Sequence, residues 1–209
     1  MPHLVVFDVN VYLDAARATG EPFTFAEFDR IVAAHGADPV PSRSKNIDSL
    51  RAIATTLSGR FVGQIPLEVW TSDHIDVLTA TKASHPVNAQ IDEDRGLGWS
   101  RVNSQALVDH LIAELCFPRS NGGSVGRIPI SYGTPPLSHE DGTVYATARD
   151  AGATGVLYER FCVTRDKEFR LAALPGEITV LYPHEWVAYC RRAKSIVGSR
   201  ALRGQPPAV

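Results

Sequence analysis

The chain has 209 residues and a mass of 22.7 kDa, with 44% hydrophobic and 21% charged residues. That composition fits one globular domain with a sizeable core and excludes disorder, collagen-like repeats and a long coiled coil. Twenty-one Lys and Arg against 23 Asp and Glu give a net charge of −2, so no global basic field announces a nucleic-acid binder.

The opening Met1-Pro2-His3-Leu4-Val5-Val6-Phe7-Asp8 meets an acid after four apolar residues. It lacks the longer apolar region behind positive charge that an export signal needs. No stretch approaches the roughly 18 apolar residues of a membrane helix. Cys116, Cys162 and Cys190 are scattered without paired spacing, which suits a reducing cytoplasm and argues against a disulfide scaffold or structural zinc.

Leu4–Phe7 is a wholly apolar run, read as a strand buried on both faces, as in parallel sheets. A helix is expected over Val11–Ala18. Thr24 and Glu27 form a capping box ahead of Phe25, Phe28, Ile31 and Val32 at helical spacing, and Gly36 is a stop. Residues 37–46 read as a loop, and Leu50, Ile53 and Leu57 mark another helix. Leu67–Trp70 reads as a second strand, with Thr71-Ser72-Asp73 starting a helix to about Thr81.

Residues 84–100 are polar and turn-rich. Leu107, Leu111, Ile112 and Leu115 give a helical stripe. Residues 118–136, crowded with Gly, Pro and Ser, read as a long surface loop; its Gly122–Gly126 run lacks the Gly-Lys-Ser/Thr of a phosphate loop. Asp141–Ala151 reads as a helix, Phe161–Thr164 as a third strand, Asp166–Leu174 as a helix and Ile178–Tyr182 as a fourth strand. A last helix is expected over Glu185–Val197. Strands alternating with helices predict an α/β/α sandwich around a mostly parallel sheet of four or five strands.

Two of these strands lead into acids, Asp8 and Asp166, and Asp141 opens the helix before the second of them. Ligands of open α/β sheets bind outside the carboxyl ends of the strands. Carboxylates converging there without basic partners repel, and a hard divalent cation resolves the repulsion. Both acids that open helices also read as caps: Ser138-x-x-Asp141 is a variant capping box, and Asp166 precedes the helix beginning at Lys167.

At these residues the chain resembles the PIN-domain nucleases. VVFDVNVYLDA is similar to the family's opening motif, HEDGTVYATARDAGATG to its third, CVTRDKEF to its fourth, and ITVLYPHEWV to its closing strand, Pro and helix. The motifs cover residues 4–18 and 139–188. The resemblance implies a PIN-like fold and a toxin-type ribonuclease dependent on Mg2+ or Mn2+, held by Asp8, Asp141 and Asp166. Asn10 would orient the first Asp, and Thr164 would be the hydroxyl beside the last.

The family's second acid, usually Glu, belongs on the helix after the second strand. Asp76 is the nearest candidate, one or two residues out of register, and position 78 is Leu. That offset turns a carboxylate by about 100–200° around the helix. Either Asp76 substitutes or the site runs on three acids. The chain is also longer than compact toxin members, with extra segments at 37–60 and 84–136 and a basic tail at 198–209. The resemblance further implies RNA as substrate, a small antitoxin as partner and a homodimer. Arg191, Arg192 and Lys194 are the candidate RNA-backbone contacts, or simply favourable charge late in a helix. The missing Glu leaves a second reading open, a catalytically silent PIN-like module that binds RNA or protein. A haloacid-dehalogenase-like phosphatase fits less well, because Asn10 stands where its second Asp belongs.

Overall fold

The computed structural model describes residues 1–35, 42, 44–88, 96–128, 137–172, 174 and 177–202, with side chains described to Ser195. Its strands are β1 (His3–Phe7), β2 (Leu67–Thr71), β3 (Gly123–Ser124), β4 (Glu159–Val163) and β5 (Ile178–Leu181). They form one all-parallel sheet in the order β3-β2-β1-β4-β5. The helices are α1 (Val9–Thr19), α2 (Phe25–His35), α3 (Lys45–Ala54), α4 (Asp73–Ser84), α5 (Arg101–Leu107), α6 (His139–Asp150), α7 (Lys167–Leu171) and α8 (Pro183–Leu202). They cover both faces, giving the three-layer sandwich that the alternating pattern predicts.

Central position explains the composition of β1. All five of its residues are buried, so the strand has no polar face to show. His3, Val5 and Phe7 point one way, Leu4 and Val6 the other, as the period of two requires. On the first face α8 is seated by an aromatic cluster. Trp186 lies 5.1 Å from the Phe161 ring and 5.8 Å from Tyr189, and His3 stacks 4.1 Å from Phe61. The His3 Nε2 lies 3.1 Å from the Tyr189 hydroxyl and 3.2 Å from Glu159. The opposite face carries α6, whose Val144, Ala148 and neighbours are buried.

The extra segments build the core. Ile47, Leu50 and Ile53 of α3 are buried, and so are Leu107, Leu111, Ile112 and Leu115. The last four lie on α5 and on its continuation through two wider π-helical stretches, Val108–Ile112 and Leu115–Arg119.

Two expectations need correction. The span 118–136 is not wholly loop, because Gly123–Ser124 pairs in parallel with Trp70–Thr71 as the edge strand. Two residues, one of them Gly, carry no strand periodicity. The neighbouring Gly122 is required by packing, since a Cβ there would meet the Val69 carbonyl oxygen at 1.9 Å. The helix expected over Asp166–Leu174 ends at Leu171, where Ala172 turns extended. Residues 129–136, most of 37–43, 89–95 and the tail beyond Leu202 lie outside the described residues.

Trp186 is wholly buried in the cluster that docks α8. Trp186→Ala should therefore destabilise the fold by about 3–5 kcal/mol, read from the midpoint of urea denaturation.

Candidate functional site

The chain leaves β1 through Asp8 and β4 through Thr164, two neighbouring strands whose carboxyl ends open on the same edge. Asp8 is 5% exposed, and its backbone N–H donates to the Val163 carbonyl at 2.9 Å. Its Oδ2 accepts two hydrogen bonds, from the Thr164 hydroxyl at 2.6 Å and from the Asn10 amide. The Asn10 Oδ1 accepts the Arg165 backbone N–H at 3.0 Å, and the Thr164 Oγ1 accepts that of Asp166 at 2.9 Å. Asn10 and Thr164 thus fix the Asp8 carboxylate and tie it to the turn carrying Asp166.

Burial pushes the Asp8 carboxyl up to about 6, against the bond from Thr164, and the negative charges of Asp141 and Asp166 push it the same way. Asp141 is also raised, by burial first and then by Asp166 and Glu140, while the Ser138 bond and Lys82 oppose. Asp8 therefore feels both other motif acids, and Asp141 feels Asp166. None of them makes an ion pair among the described residues. Two cations close to them in the chain or in their electrostatics are engaged with other acids. Arg165 pairs with Asp14 at 2.8 Å, and Asp14 also accepts Ser49 and Arg17. Lys82 pairs with Glu140 at 2.5 Å.

Both capping roles are present. The Ser138 hydroxyl donates to Asp141 Oδ2 at 2.8 Å and accepts the Asp141 N–H at 3.1 Å. Asp166 Oδ1 accepts the Phe169 N–H at 2.8 Å. Each cap uses one carboxylate oxygen. Asp141 Oδ1 and Asp166 Oδ2 take no hydrogen bond among the described residues, so capping leaves each acid a donor atom.

Asp76 sits apart in its partners. It accepts the Thr71 hydroxyl at 2.7 Å, and burial raises it to about 6 with help from Asp73 and Asp109. The acids that act on Asp8 are Asp141 and Asp166. Burial pushes the Tyr12 hydroxyl and the Cys116 thiol up, and the Asp76 charge adds to both.

Donor chemistry fits a hard divalent cation, because the three motif acids offer carboxylate oxygen and neither thiolate nor imidazole. Among the described residues, however, no three His, Cys, Asp or Glu side chains stand together as a metal-ligand group in the arrangement seen. Arg191, Arg192 and Lys194 are exposed on α8. Sequence reasoning gave no role to Lys45, Arg165, Tyr182 and His184, which line one cavity. The available signal was position: Arg165 and Tyr182 follow the carboxyl ends of β4 and β5.

No helix among the described residues is long and apolar enough to cross a membrane. No protein-family model, curated protein or solved structure matches the chain.

Proposed function

We propose that the chain is a metal-dependent endoribonuclease that hydrolyses RNA phosphodiester bonds in the cytoplasm. The observation that supports this most is the buried Asp8 carboxylate, pinned by Asn10 and Thr164 and raised to about 6 beside Asp141 and Asp166. An acid held in its charged form against burial and like charge calls for a cation. Asp8, Asp141 and Asp166 would hold Mg2+ or Mn2+, with Asp76 as the candidate fourth acid. Bound there, such an ion supplies an activated water and neutralises charge on the phosphodiester. Asn10 and Thr164 keep Asp8 from turning away, and Arg191, Arg192 and Lys194 attract the RNA backbone. In its toxin form this reading adds a small antitoxin over the acidic edge and a homodimer.

One observation favours the second reading, a catalytically silent PIN-like module that binds RNA or protein. Asp76 is occupied with Thr71 and sits with Asp73 and Asp109 rather than with the Asp8 group. Metal binding and cleavage separate the two readings.

Millimolar Mn2+ should raise the melting temperature by roughly 5–10 °C at a hundredfold excess over its Kd, which corresponds to about 2.7 kcal/mol, and EDTA should reverse the shift. Asp8→Asn and Asp166→Asn should abolish Mn2+-dependent cleavage of RNA. Full cleavage by Asp8→Asn would refute the assignment.

Metal-free protein should show the charge on Asp8 as a pH dependence. A carboxyl raised in the folded state destabilises the fold when ionised, above about 6, and does so less as pH falls towards its unfolded value near 4. Asp8→Asn should therefore melt above wild type at pH 7.5, and the gap should close as pH falls through 6. Melting curves in EDTA across that range check it.

Changing Arg191, Arg192 and Lys194 together to Ala should weaken RNA binding and flatten its salt dependence, while single-turnover cleavage at saturating RNA persists. An unchanged salt slope would assign those charges to the solvated helix surface.

A further inference from the structure

A cavity of about 220 Å³ opens at the same end of the sheet as Asp8, lined by Lys45, Asp48, Arg165, Tyr182, Pro183 and His184. Its residues come from three places that the fold brings together: the first turn of α3, the turn after β4, and the junction of β5 with α8. Arg165 joins the cavity to the acids. Its backbone N–H is held by Asn10, the residue that also holds Asp8, and Asp166 follows it in the chain.

The walls combine two chemistries. The first is a pair of stacked aromatic rings on the cavity wall. Tyr182 and His184 stack nearly parallel, 17° apart with centroids 5.8 Å distant. Tyr182 is braced: the Arg170 guanidinium lies 5.8 Å from its ring, Arg170 pairs with Glu185 at 2.9 Å, and Glu185 accepts the Tyr182 N–H at 2.8 Å. A ring held this way loses little freedom when something stacks on it. The second chemistry is cationic. Lys45 is exposed and has no carboxylate partner among the described residues, although Asp48 is one helical turn away. Asp48 is engaged with the Ser42 N–H at 2.8 Å and with Arg51 at 3.7 Å. Arg165 lines the cavity while paired to Asp14, which leaves it fixed in direction.

An aromatic face beside a free ammonium is what an unpaired nucleotide needs: a surface for the base and a cation for its phosphate. The volume is below the roughly 300–1,000 Å³ of drug-sized ligand sites and suits a single nucleotide unit in a half-open groove. A duplex keeps its bases stacked on one another and has none to offer. We propose that this cavity seats one unpaired nucleotide of a single-stranded RNA, its base against Tyr182 and His184 and its phosphate at Lys45. The choice of RNA rests on the ribonuclease reading; the preference for an unpaired base and a phosphate rests on the cavity.

The test is binding of a short fluorescein-labelled single-stranded oligoribonucleotide to the full chain in EDTA, followed by anisotropy, so that cleavage plays no part. Lys45→Ala and Tyr182→Ala should each weaken binding about tenfold. Lys45→Ala should lower the salt slope by about one. Tyr182→Phe keeps the ring and should stay within about twofold of wild type. Unlabelled duplex RNA should compete poorly. The surface position of Lys45 keeps the test decisive should Tyr182→Ala unfold.

Affinity unchanged within about twofold in Lys45→Ala and in folded Tyr182→Ala, or equal competition by duplex RNA, overturns the proposal. So does a preference for single-stranded DNA. Cavity-dependent binding without any Mn2+-dependent cleavage by wild type upholds this inference and overturns the ribonuclease reading. Cleavage with cavity-independent binding does the reverse.

Discussion

The site is organised around a carboxylate at the carboxyl end of the central strand. Asp8 leaves β1 where β1 and β4 run side by side, and its oxygen accepts from Thr164 on one side and Asn10 on the other. Burial and two neighbouring acids oppose its charge. Most buried carboxylates answer that opposition with a cation from the chain, as Asp14 does with Arg165 and Arg17. Asp8 has hydrogen bonds but no ion pair, and this difference between two acids six residues apart separates a structural acid from a candidate ligand.

The two ends of the sheet are built differently. At the amino ends of β1 and β4, His3, Phe61, Phe161, Trp186 and Tyr189 form a packed aromatic cluster. At the carboxyl ends, Asp8, Asp166 and Asp141 share space with hydroxyls and backbone N–H groups. Aromatic packing is concentrated at one end of these strands, and acids without an ion pair among the described residues at the other. The hydroxyls of Ser72 and Thr147 link α4 to α6 at 3.0 Å, and Lys82 bridges to Glu140. The start of α6, with Asp141, is thereby tethered to the helix that carries Asp76.

Much of the fold was legible in the sequence because its signals are local. The apolar run of β1, the caps at Thr24, Ser72 and Ser138, and the stripe from Leu107 to Leu115 each follow from residue spacing alone. The edge strand was not, because Gly123–Ser124 is defined by its pairing with β2 and has no pattern of its own. In the candidate site, Asp8 stands out because it follows directly from the end of its strand, whereas only the motif resemblance picks out Asn10 and Thr164. Position 76 was not legible, because the partners of a helical acid depend on what packs against that helix, here Thr71 below and Asp109 from a distant segment. The cavity at Tyr182 was hidden for the same reason: it joins residues from 45 to 184 that only tertiary structure brings together.

Locating Mn2+ directly would test the central claim most closely. Crystals soaked in MnCl2 and measured for anomalous scattering should show a Mn2+ peak touching Asp8, with Asp141 and Asp166 on the same ion or through its waters. The peak should vanish in Asp8→Asn crystals. A peak beside Asp73, Asp76 and Asp109 alone, or none at any acid, would contradict the account.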